Sequence, residues 1–178
     1  MRRFLFLLIG TAVLCVPAVS VAANNPPSAG KLAAQMCSSI RAKDGKATFK
    51  LTYHSFAGCL GKQTANAKSD VQNAAKTCKA QRSDPNFATE PGHDNKTFNQ
   101  YYGTNGGSGN GAGANAYGKC VSSIAKQNAQ SDVKDTVAAT ATCKAMRTND
   151  AATFQSNYGT GRNAFGKCVS KQASAKNG

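Results

Sequence analysis

Apolar positions in this chain are sparse, and where they recur they do so at helical spacing rather than in the alternation of a strand. Phe49 and Tyr53, Phe98 and Tyr102, and Phe154 and Tyr158 each stand four residues apart, which sets both rings of a pair on one face of a short helix. Ahead of the third pair, Val133, Val137, Thr140 or Ala141, and Cys143 fall near a 3.6-residue period. Asp44, Asp94 and Asp150 lie four or five residues upstream of the pairs, where a side-chain oxygen caps the free amides of a first turn. Gly103 and Gly159 follow the last aromatic of their pairs, where helices commonly end on positive φ. The pattern predicts a long helix, a short helix and a long helix.

That pattern occurs three times. Each copy opens on a cysteine (Cys37, Cys78, Cys143), continues with the aromatic pair, and closes with an aromatic three residues before a second cysteine. The closing pairs are Phe56 and Cys59, Tyr117 and Cys120, and Phe165 and Cys168. A fixed order of five features in three copies marks an internal repeat, with units over 24–68, 69–130 and 131–178. The fold class expected is all-α, three tandem disulfide-stapled helical units. The middle unit carries two insertions, NFATEPGH at 86–93 and a Gly-rich stretch over 103–114, both read as solvent loops on composition.

Between units, Cys59 and Cys78 are 19 residues apart and Cys120 and Cys143 are 23 apart, a difference of about one helical turn. Neither 62–83 nor 119–148 contains Gly or Pro, so one reading is a helix running through from each unit to the next. The other has Ser69-Asp70 and Ser131-Asp132 capping fresh helices. Under continuity, Cys59 and Cys78 stand about 28 Å apart, beyond disulfide reach. Pairing within units follows from it: Cys37 with Cys59, Cys78 with Cys120, and Cys143 with Cys168.

The first segment, MRRFLFLLIGTAVLCVPAVSVAA, has two arginines, an apolar run and a small-residue end. It reads as a secretory signal peptide over 1–23, with Cys15 in the removed part, so the product is expected to be secreted or periplasmic. An uncleaved membrane anchor is the competing reading, and Pro17 and the small-residue end weigh against it. Residues 24–178 then hold six cysteines and only 16 Leu, Ile, Val or Phe in 155. A core that thin needs covalent help, and an even cysteine count in an exported chain supplies it. The same residues carry 20 Lys and Arg against 8 acids, a net +12. That surface is drawn to polyanions. The basic residues are scattered rather than striped, and the aromatics are needed for the core, which argues against nucleic acid as a specific partner.

The YGT and NAFGKCVSK stretches of the third unit, and their counterparts in the second, resemble a pattern of exported bacterial proteins without a known activity, in which such a unit occurs singly or in tandem. The first unit departs from it, since Phe56-Ala57-Gly58-Cys59 lacks the Gly-Lys step. The resemblance implies export and cysteine pairing and brings no functional residues with it.

Motifs that suggest chemistry are few. GANAYGKC at 113–120 and GRNAFGKC at 161–168 match Gly-x4-Gly-Lys, but no strand precedes them, cysteine stands where a metal-binding hydroxyl belongs, and an aromatic fills the loop. The plainer reading is a helix start at which Gly118 and Gly166 allow close packing beside a disulfide. GAGANA and GTGRNA match a dinucleotide fingerprint without its strand or acidic partner. What survives is an anion held at a helix start by Arg162, Lys167 or Lys119. Glu90, His93 and Asp94 cluster in one loop and His54 stands apart; a metal site would want more ligands. No Ser-His-Asp or Cys-His arrangement is legible, and no cofactor is expected. The chain reads as an exported, non-catalytic binding or structural module of the cell envelope, with anionic envelope polymers or lipid headgroups as partners. The alternatives are a cationic toxin or antimicrobial protein, and an exported enzyme acting on an anionic polymer.

Overall fold

A computed structural model describes residues 26–103, 113 and 115–175. The expected signal peptide at 1–23 and nearly all of the Gly-rich stretch lie outside the described residues. Those described are helical, with no strand among them: α1 (Ala29–Tyr53), α2 (Phe56–Ser83), α3 (Phe98–Tyr102), α4 (Ala116–Asn149), α5 (Ala151–Tyr158) and α6 (Ala164–Ser174), with a 3-10 turn at Phe87–Thr89 before α3.

The joints are continuous helices. α2 runs for 28 residues and carries both Cys59 and Cys78; α4 runs for 34 and carries both Cys120 and Cys143. Asp70 and Asp132 therefore sit inside helices and cap nothing. The three disulfides are Cys37–Cys59, Cys78–Cys120 and Cys143–Cys168, with Cα–Cα distances of 5.9, 5.9 and 6.0 Å. All six cysteines are fully buried. They close loops of 22, 42 and 25 residues, and each contributes roughly 3–4 kcal/mol by restricting the unfolded chain. Because Cys78 meets Cys120 while Asp70 lies by Asp132, α2 and α4 run antiparallel.

Caps and helix ends are more varied than the repeat suggests. Asp150 caps α5 by accepting from the Thr153 amide at 3.0 Å. Asp94 does not cap α3; it has φ of 52° and pairs with Lys96, while Thr97 and Gln100 form a reciprocal capping box. Asp44 turns away from its own helix: it faces Thr140 and Lys144 of α4. The break in α1 falls on Gly45, at φ 77° and ψ 159°, a region essentially closed to other residues. Gly159 does end α5 on φ of 85°, but Gly103 has φ of −67°. Its glycine is required by crowding, since a Cβ there would lie 2.2 Å from the Asn99 carbonyl oxygen and 3.0 Å from Gly113 Cα.

The segment at 86–93 is not a bare solvent loop. Phe87 is 2% exposed, stacks on the His93 ring with centroids 3.8 Å apart, and meets Phe98 edge-on. It supplies the middle of the chain with an aromatic that the other copies lack.

Two apolar clusters hold the helices. The larger joins residues of α1, α2, the 86–98 region and the first half of α4; the smaller gathers Ala139, Phe154, Phe165 and Val169 around Cys143–Cys168. The arrangement is consistent with three tandem units, yet the first and third touch. His54 Nε2 donates to Asn163 Oδ1 at 2.7 Å. A Cβ on Gly166 would come within 2.7 Å of the Thr52 carbonyl oxygen, so glycine there lets α6 approach the end of α1.

Candidate functional site

The aromatic pairs are structural, and their polar ends share a device. Ring centroids within the three pairs lie 5.1, 5.0 and 5.3 Å apart. Each tyrosine hydroxyl meets a glutamine: Gln63 donates to Tyr53 at 3.0 Å, Tyr102 donates to Gln81 at 3.2 Å, and Gln172 donates to Tyr158 at 3.3 Å. Lys62 and Lys171 stand over the faces of Tyr53 and Tyr158 at 5.9 and 6.0 Å. The Lys-Gln dipeptide three and four residues after Cys59 and Cys168 thus clamps both the face of the ring and its hydroxyl. The second unit has Ser-Ile there and recruits Gln81 from α2 instead.

The residues expected to hold an anion are not brought together. Arg162 and Lys167 are exposed in and beside the first turn of α6, and Lys119 is half-buried in the first turn of α4. The α6 start is occupied by packing against α1 through Asn163 and Gly166. In the 86–98 region, His93 Nδ1 donates to the Phe87 carbonyl at 2.5 Å and pairs with Glu90 at 3.5 Å, while Asp94 turns to Lys96. Among the described residues no group of three His, Cys, Asp or Glu is arranged to hold a metal ion.

Two grooves take the place of those candidates. The first, of about 620 Å³, lies between α2, α4 and α6 and is polar, lined among others by Lys62, Asn66, Asp70 and Asp132. Asp70 is only 7% exposed, and its Oδ2 has no hydrogen-bond partner among the described residues. Burial, reinforced by the charge of Asp132, pushes its pKa up to about 6, so the two carboxylates resist ionising together. Nearby, burial raises Asp44 as well, against lowering by the Thr140 hydroxyl and Lys144. The hydroxyls of Ser69, Thr136, Ser170 and Ser174 border the same groove.

The second groove, of about 1040 Å³, runs between α1 and α4. Leu32, Met36, Ala129 and Val133 line its apolar floor, and Lys31, Lys43, Lys126 and Lys134 stand around it. Among the described residues no carboxylate lines it and none of those four lysines forms an ion pair. Sequence reasoning saw these lysines only as scattered charge. Their i, i+8 and i, i+12 spacing on separate helices carries no local signal, and only the packing of α1 on α4 assembles them.

No protein-family model matches this chain, and neither a curated protein nor a solved structure does. Among the described residues no helix is long and apolar enough to cross a membrane.

Proposed function

We propose that the chain is an exported, non-catalytic binding protein of the cell envelope, built of three tandem units, that engages anionic polymers or lipid headgroups through its lysines. The observation that carries this reading is the excess of charge, a net +12 over residues 24–178, displayed on a scaffold stapled by three buried disulfides. Disulfides of that kind persist in oxidising compartments, which agrees with the signal-like first segment. A rigid scaffold loses little entropy on binding, and a positive surface accelerates encounter with anions.

The test is retention on cell-wall material and on anionic vesicles across a salt series. Retention at low ionic strength that declines steadily with salt is expected. Absence of retention at the lowest salt sinks the reading.

A further inference from the structure

We propose that the α1–α4 groove binds the acyl chain of an anionic lipid, with its lysines holding the headgroup. The inference deepens the envelope-binding reading and rests on it. Three observations carry it beyond general charge. The groove, at about 1040 Å³, is as large as the upper range of small-molecule sites, which bury most of their ligand against apolar walls. Leu32, Met36 and Val133, packed into the core, close its floor firmly, and the half-buried Ala34 and Val137 with the lysine stems give it apolar walls. Its margin is positive on both helices: Lys31 and Lys43 on α1, Lys126 and Lys134 on α4.

The dimensions suit a chain. Residues 31 to 43 of α1 span about 18 Å at 1.5 Å per residue, so lysines flank a strip long enough for an extended acyl tail. Lys126 is half-buried and the other three are exposed, an arrangement in which aliphatic stems extend the apolar walls and the ammonium groups reach the headgroup. A polysaccharide or polyphosphate would satisfy the lysines and leave the apolar walls facing water. A neutral lipid would cover the walls and leave four like charges without counter-ions. An anionic lipid answers both, and in the envelope it is the anionic molecule that brings an apolar strip of its own.

The experiment is a titration of the oxidised protein with tetradecanoate below its micelle threshold, followed by native mass spectrometry and calorimetry, beside tetradecanol and inorganic phosphate. One tetradecanoate per chain is expected, bound more tightly than either control. Reversing Lys43→Glu and Lys134→Glu together should weaken it by more than about tenfold. Ser39→Phe, an exposed wall position, should block the tail while leaving the helical spectrum and the retention on anionic polymer intact. The inference is overturned if tetradecanol binds as tightly as tetradecanoate, if phosphate displaces it, or if both variants bind like the parent. It is also overturned if an acidic amphipathic peptide occupies the groove in preference. A protein that holds anionic polymer but no tetradecanoate loses the groove assignment and keeps the envelope reading; one that holds neither loses both.

Discussion

Asp70 is a carboxylate that the fold would rather keep protonated. Its pKa rises from 3.8 to about 6 through burial and the neighbouring Asp132 charge, with Lys62 and the Tyr53 ring on the same groove. In the folded chain Asp70 therefore binds its proton more tightly than in the unfolded chain. Its contribution to stability is fully present below about pH 4, declines as pH rises toward 6, and is gone above that. Water in the groove screens the pair, so the amplitude is about 1–2 kcal/mol rather than the full shift. Asp70→Asn removes the charge and keeps the shape. It should gain about that much stability at pH 7.5 and flatten the decline between pH 4 and 6, as read by guanidinium unfolding with the disulfides intact. An unchanged slope in the variant would show that Asp70 and Asp132 do not compete for charge.

At the scale of elements, the third disulfide is the staple with least around it. Cys143–Cys168 lies in the smaller cluster, where Phe154, Tyr158, Phe165 and Val169 are the large buried side chains beside it, whereas the first two bridges share the larger core. Replacing Cys143 and Cys168 by serine should release 164–175 and fray the end of α4, seen as loss of amide-exchange protection there. The first half of α4 should keep its protection. Peptide mapping of the parent should return the three bridges as they stand, and a Cys59–Cys78 peptide would contradict both the pairing and the through-going α2. The staples were legible in the sequence because helical phase is local: with 62–83 and 119–148 free of Gly and Pro, a through-going helix sets Cys59 and Cys78 too far apart to pair. The caps were only partly legible, since Asp94 competes with Thr97 three residues on, and Asp44 is drawn instead to α4. Phe87 was missed because its partners, His93 and Phe98, come together only through a turn. The Lys-Gln clamp was in plain view after Cys59 and Cys168, but nothing local tells that its target is a tyrosine hydroxyl. Both grooves are products of helix packing, and their residues share no sequence neighbourhood.

For the molecule as a whole, charge and core pull against each other. A net +12 over residues 24–178 repels itself, and the buried apolar set is dominated by alanine and cysteine rather than large side chains. Such a chain resists unfolding through its cross-links and remains sensitive to anything that lowers the repulsion. Raising ionic strength from a few millimolar to about 0.15 M shortens the screening length to about 8 Å. If like-charge repulsion dominates, that should stabilise the fold by about 1 kcal/mol, roughly 3 °C in melting temperature for a chain of this length. The opposite sign would mean that lysines and carboxylates already neutralise one another. Screening and binding are separable in the same measurement. Chloride and a polyphosphate at matched ionic strength screen equally, so any further rise with polyphosphate reports preferential binding to the folded chain by mass action. That extra rise should be larger for the oxidised protein than for one lacking Cys143–Cys168, because the lysines of α4 and α6 hold their mutual positions only while that bridge is closed.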